Sequence, residues 1–172
     1  MKIKITIGVL IGLIITLFIA MATYGKNIDE AIEEAKLIYH ERFSGQNEFK
    51  HNYESEQVSL FLPPGFKVKE ETEYNIIIEN SGQVYLLFFN PLEQKNSKIH
   101  YELDASLADE SLLFETYETD DLFSYFFVLE EKKELNVVIA IGGAKISTKT
   151  SSTSLADSVG HMLTIVQSLS YR

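Results

Sequence analysis

Asp157 and His161 stand four residues apart near the end of the chain, a spacing that puts a carboxylate and an imidazole on one side of a helix. Such a pair is half of an acid–base or metal site. The plainer reading is a solvated surface pair, because the other histidines, His40, His51 and His100, supply no H-x-x-x-H or similar metal spacing. Gly142-Gly143 with Lys145 has the residue types of a phosphate loop, in which backbone amides and a lysine cradle an anion. The Walker spacing is absent and no helix is expected directly after Lys145, so the stretch reads as a turn leading into a solvated polar strand or loop. The hydroxyl-rich run 147–154 has the groups to bind a polar ligand, and more simply it solvates the approach to a helix.

Four acidic pairs, Glu70-Glu71, Asp109-Glu110, Asp120-Asp121 and Glu130-Glu131, have the chemistry of glycoside hydrolysis or calcium binding. The EF-hand loop pattern is missing, and adjacent residues on a strand point to opposite faces, so solvated charge at turns and edges is expected. The aromatic group Phe123, Tyr125, Phe126 and Phe127 reads as core rather than as a stacking platform. There is no G-x-S-x-G elbow. No catalytic, cofactor-binding or metal-binding residue is assigned, and a non-enzymatic role is expected.

The composition bounds the rest. The chain has 172 residues with 45% hydrophobic and 12% aromatic content, enough for one ordinary domain with a real core. The formal net charge is −10. Setting aside Lys2 and Lys4, the 15 basic residues fall to 13, against 25 acidic ones. A field of that sign repels phosphates and argues against a nucleic-acid partner. The absence of cysteine excludes disulfides, thiolate metal sites and a catalytic thiol.

The elements that must position any site begin with an apolar run. Residues 5–23 are 19 in number and carry no charge. As a helix they extend about 28 Å, close to the roughly 30 Å hydrocarbon core of a bilayer. Lys2 and Lys4 precede the run, while Asp29, Glu30, Glu33 and Glu34 follow it, which sets the N-terminus in the cytoplasm and the remainder outside. The expected organisation is a cytoplasmic tail 1–4, a single-pass anchor 5–23 in the cell membrane, a juxtamembrane amphipathic helix 24–46 and an extracytoplasmic α+β domain 47–172. The alternative is a secreted domain, since Ala20-Met21-Ala22 matches a signal-peptidase site. Gly8 and Gly12 have the spacing that brings two membrane helices together as a homodimer.

Beyond the anchor, Asn27 caps a helix, with Glu30 at capping-box spacing. Ile28, Ala31, Ile32, Ala35, Ile38, Tyr39 and Phe43 form its apolar stripe; Leu37 lies off it, and Gly45 is the stop. Strands are expected from Val58, Tyr74, Val84, Leu112, Phe123 and Leu135, with a further short one over 99–103. Asn80-Ser81-Gly82 is a hairpin turn, and polar turns over 118–121 and 131–134 make antiparallel neighbours. "VYLLFF", "FSYFFVL" and "LNVVIAI" are apolar on both alternating sets, so the sheet is expected to be covered on both faces. A last helix, capped by Ser154 with Asp157 at capping-box spacing, carries the stripe Leu155, Val159, Met162, Leu163, Ile165, Val166 and Leu169.

"VSLFLPPGFKV", "VYLLFFNP" and a final helix ending "IVQSLSY" resemble the PsbP-like family over residues 50–172. The resemblance implies a central antiparallel sheet between helices, an α/β/α sandwich. It also implies a module that is tethered or secreted and acts in binding or assembly, and it carries no functional residue to a position here. The expected function is a membrane-anchored extracytoplasmic binding or assembly module whose partner is another envelope protein. The alternative is a small cell-envelope hydrolase.

Overall fold

The computed structural model describes residues 27–45 and 48–172. The anchor or signal over 5–23, the Ala20-Met21-Ala22 site and the Gly8/Gly12 contact lie outside these residues. Among the described residues no helix is long and apolar enough to cross a bilayer.

Helix α1 covers Ile28–Ser44. The Asn27 side chain accepts a hydrogen bond from the Asp29 amide at 3.3 Å, and Asp29 and Glu30 in the first turn suit the positive end of the helix dipole. Ala31, Ile32, Ala35 and Tyr39 are buried, while Leu37, the residue off the stripe, is exposed. Gly45 ends the helix in an extended conformation, not in the left-handed one. Strands β1 (Tyr53–Glu54), β2 (Val58–Leu60), β3 (Lys67–Glu71), β4 (Asn75–Asn80) and β5 (Gln83–Phe89) follow. Next come helix α2 (Ile99–Asp104) and a 3-10 helix, Ala105–Glu110. Strands β6 (Leu113–Glu118), β7 (Phe123–Glu131), β8 (Glu134–Ile141) and β9 (Ala144–Thr150) complete the main sheet. A 3-10 turn, Ser152–Ser154, leads into α3 (Leu155–Ser168), and β10 (Ser170–Tyr171) ends the chain.

The fold is α+β. Seven antiparallel strands run in the order β3-β4-β5-β9-β8-β7-β6, and β1-β2-β10 make a separate small sheet. The β4–β5 turn places Ser81 and Gly82 at φ 51° and 86°, and the β7–β8 turn places Lys132 and Lys133 at 53° and 70°. Both are two-residue links of the kind that matches strand twist.

One face of the sheet, here the inner face, packs α1 and α3 against Ile76, Ile78, Leu87, Phe126, Val137, Ile139 and Ile146. Burying one such side chain contributes about 1.5–3 kcal/mol. On the outer face, α2 and the 3-10 helix bring Tyr101 and Leu107 over Phe123, Tyr125, Phe127 and Ala140. This cover lies over β6–β8 and reaches Lys145 on β9 and the Phe88 end of β5, but not the Val84 end. On β5, Val84 and Leu86 stay 52% and 44% exposed. The doubly apolar pattern of β5 therefore does not mean two buried faces, whereas that of β7 does.

Three further expectations are corrected. Residues 99–103 form a helix, not a strand: the Glu102 amide bonds back to the Lys98 carbonyl, and His100 and Tyr101 turn onto the sheet while Ile99 and Leu103 face out. Ser154 makes no side-chain cap; its backbone is the end of the 3-10 turn, with its amide bonded to the Ser151 carbonyl. Residues 144–150, expected as a solvated polar strand or loop, are a strand, but a central one between β5 and β8 whose alternate side chains are buried.

Candidate functional site

Asp157 and His161 line a groove of about 520 Å³ between α1 and α3, together with Glu41, Arg42 and Thr164. His161 sets its ring edge-on to Phe66, centroids 4.9 Å apart. Gly160, in the middle of α3, is at the floor, where an added Cβ would meet nothing within 4 Å. The remaining histidines are spread over the fold. His40 shares the Glu115 carboxylate with Lys36, at 3.0 and 2.6 Å. His51 bonds the Ser168 carbonyl at 2.8 Å. His100 is buried against the Gly143 carbonyl at 3.3 Å and the Phe88 ring. Among the described residues no group of three or more histidines and carboxylates is placed to hold a metal ion.

Gly142-Gly143 does form the expected turn, between β8 and β9, but it is buried. Its amide and carbonyl groups bond inside the protein. The Gly142 amide donates to the Phe123 carbonyl at 2.9 Å, and the Gly143 carbonyl accepts from the Asn90 amide at 3.0 Å. The segment 90–98 crosses directly over both glycines. Lys145 is not a phosphate ligand here: its Nζ lies 3.3 Å from Asp104 Oδ2, which also accepts from the Tyr125 hydroxyl at 2.6 Å. Burial first, and then the Asp104 charge, push the Tyr125 phenol above its usual pKa, so it remains a donor. This trio fastens α2 to the sheet.

The hydroxyl run divides by strand alternation. Thr148 and Thr150 point into the inner core, where Gln83 Nε2 donates to Thr148 Oγ1 at 3.1 Å and to Ser158 Oγ at 3.0 Å. Thr150 and Ser158 bond each other at 3.0 Å. Ser147 and Lys149 face outward. Thr148 and Thr150 of this run are thus satisfied by Gln83 and Ser158 beneath α3.

The acidic pairs are separated in space. Glu70-Glu71 sit on the edge strand β3 beside a register shift between Val68 and Glu70. Asp109-Glu110 end the 3-10 helix, Asp120-Asp121 form the β6–β7 hairpin tip, and Glu130-Glu131 end β7. Phe123, Tyr125, Phe126 and Phe127 are all buried, as core. Alternation sends Phe126 inward and the other three outward beneath α2, where the Tyr125, Phe127 and Phe114 rings stack.

Two surfaces went unread in the sequence. One is a trough of about 610 Å³ on the uncovered outer face, lined by Val84, Leu86, Val138, Asn136, Ser147 and Lys149. The other is the outer side of β6, which ends the sheet. The exposed pair on β5 is visible only once its Val84–Leu86 end is known to lie beyond the helical cover, which touches β5 at Phe88.

No family model matches the chain, and no curated protein matches it in sequence.

Proposed function

We propose that this chain is a membrane-anchored extracytoplasmic binding or assembly module without enzymatic activity, held in the cell membrane by residues 5–23 with its N-terminus in the cytoplasm. The observation that carries the reading is the uncovered half of the outer sheet face. Val84 and Leu86 stand side by side on β5, next to Val138 and Ser147, in a broad open trough. Exposed apolar side chains grouped on one face are the mark of a surface that meets another molecule. The lysine asymmetry around 5–23 supports the direction of the anchor. The PsbP-like α/β/α sandwich is the finer reading of the fold: α1 and α3 make one helical layer, and α2 with its 3-10 extension makes a partial second one.

The test uses the lack of native cysteine. Leu92 is 90% exposed, so Leu92→Cys gives the protein one accessible thiol. A membrane-impermeant maleimide labels it in intact cells, or in spheroplasts where there is an outer membrane. The protein stays with membranes through a high-salt wash and migrates at its full 19.6 kDa. Labelling only after lysis overturns the orientation. A smaller, soluble, labelled product assigns the secreted form cut after Ala22.

The small envelope hydrolase is the second reading, favoured by the groove that gathers Glu41, Asp157 and His161. Hydrolysis of any ester or glycoside probe that is abolished in both Asp157→Asn and His161→Ala would establish it.

A further inference from the structure

We propose that β6 is the docking edge of this module, and that it takes an extended, basic segment of a partner protein as an eighth strand of the sheet. The proposal rests on the reading of the domain as a binding module and names the mode and chemistry of that binding.

The two edges of the main sheet differ. At β3 the edge is guarded: Lys67, Lys69, Glu70 and Glu71 put four charges along it, and the register shift beside Glu70 breaks its line. At β6 the sequence Leu-Phe-Glu-Thr-Tyr-Glu has no lysine and no proline, and its register with β7 is unbroken from Leu113 to Glu118. Among the described residues no strand pairs with its outer side.

The ladder fixes which groups are on offer. The Thr119 amide donates to the Leu122 carbonyl at 2.8 Å, closing the hairpin around Asp120-Asp121. In an antiparallel pair the bonded positions alternate. With Tyr117 opposite Ser124 and Glu115 opposite Phe126, the odd-numbered residues of β6 bond to β7. Phe114, Thr116 and Glu118 therefore turn their amides and carbonyls to the open side. An added strand would bond to these three, as in β-strand addition generally.

Charge selects the occupant. Residues 109–121 contain six carboxylates and no lysine or arginine. Lys36 and Lys98 pair with Glu115 and Glu118 from neighbouring elements, which leaves Asp109 and Glu110 at one end of the edge and Asp120 and Asp121 at the other. A second copy would bring the same acidic edge against itself, from a chain with a net charge of −10. A segment alternating apolar and basic residues meets no such repulsion. Its inward, apolar side chains would reach a hollow of about 270 Å³ lined by Phe43, Phe49, Tyr117 and Leu122, with Arg42 and Gln167 at its margin, while its basic side chains would lie on the other face.

The experiment uses the full chain in detergent micelles and a short synthetic peptide that alternates lysine with valine. Two control peptides carry glutamate in place of lysine, or methyl groups on the alternate amides that would face β6. The lysine peptide binds and slows hydrogen exchange at the Phe114, Thr116 and Glu118 amides. The glutamate peptide does not bind. N-methylation weakens binding by about tenfold or more, because it removes the ladder while keeping the charge. Thr116→Pro does the same from the protein side, since the lost amide makes no bond to β7. Equal binding of the methylated peptide, or unchanged binding to Thr116→Pro, reduces the effect to bulk charge and overturns the proposal. Protection that is abolished by Leu86→Glu and absent from β6 moves the site to the outer trough, which keeps the module reading and overturns only the β6 assignment. Protection of the same amides by self-association, without peptide, makes the occupant a second copy and also overturns it. No binding of any peptide overturns the proposal as well, while the anchor labelling above tests the membrane anchoring and orientation separately.

Discussion

A Cβ added to Gly142 would stand 2.3 Å from the carbonyl oxygen of Gln94, and Gly142 itself has φ +53°. The segment 90–98 has closed over the β8–β9 turn so tightly that only glycine fits beneath it. The same contact accounts for the buried backbone bonds from Asn90 to Gly143 and from Phe123 to Lys95. What has the residue types of an anion loop is a packing site.

Gly142→Ala is therefore expected to destabilise the domain by about 2–4 kcal/mol, from the strained φ and the backbone collision together. Gly160 is the opposite case. It lies inside α3 with open space where a Cβ would go. Gly160→Ala is expected to stabilise by about 0.5–1 kcal/mol through helix propensity. Urea unfolding of both variants checks the pair, and destabilisation by Gly160→Ala would show that the α1–α3 groove is not open.

Tyr39 and Ser124 are both buried, and the tyrosine hydroxyl donates to Ser124 Oγ at 2.9 Å. Tyr39→Phe leaves the serine oxygen without that donor in an apolar core and is expected to cost about 1–3 kcal/mol. The double variant Tyr39→Phe with Ser124→Ala removes both polar groups and should cost less than the sum of the single changes. A double-mutant cycle by denaturation measures the coupling; additivity would mean that the bond contributes nothing.

The sequence was most legible where one period governs one element. The stripes of α1 and α3 lie on the buried sides read from a 3.6-residue repeat, and Asn80-Ser81-Gly82 and the two polar turns link the strands expected. Legibility failed where tertiary context decides. "AKISTKT" looks polar, yet its β-branched Ile146, Thr148 and Thr150 face the core, and β9 can be polar in composition because Gln83 and Ser158 satisfy the threonine hydroxyls. Residues 99–103 carry strand-forming types but sit where a helix alone turns Tyr101 onto the aromatic stack. The openness of β6 is a matter of strand order, which no local pattern encodes.

Val166 and His161 compare opposite faces of α3. Val166 is buried against the inner core, and Val166→Asp places an unpaired charge there, with an expected loss of several kcal/mol. His161→Ala removes one edge-on contact with Phe66 at the groove and should cost under about 1 kcal/mol. Thermal melts of the two variants decide, and similar midpoints would mean that the buried face of α3 is misassigned.

The last prediction concerns pH. Burial lowers the pKa of His100; the Gly143 carbonyl opposes this, Lys145 adds to it, and Asp104 and Glu93 act against it, with the net result below the usual value of about 6.5. The folded state thus holds the ring neutral at pH values where the unfolded chain has already taken up a proton. Stability then rises with pH through this window, and it declines as pH falls below about 6.5. Glu115 acts lower down. Burial alone would raise its pKa, but the hydrogen bonds and charges of Lys36 and His40 bring it below its usual value. That contribution is complete above the ordinary carboxylate range and is lost as pH falls through the folded value. Denaturation of the wild type at pH 7.5, 6 and 5 should show a loss between the first and last points that is reduced in His100→Gln. Glu115→Gln should keep that upper loss and flatten the profile only at more acidic pH. Parallel profiles for the wild type and His100→Gln between pH 7.5 and 5 would show that this buried ring is not the group being titrated.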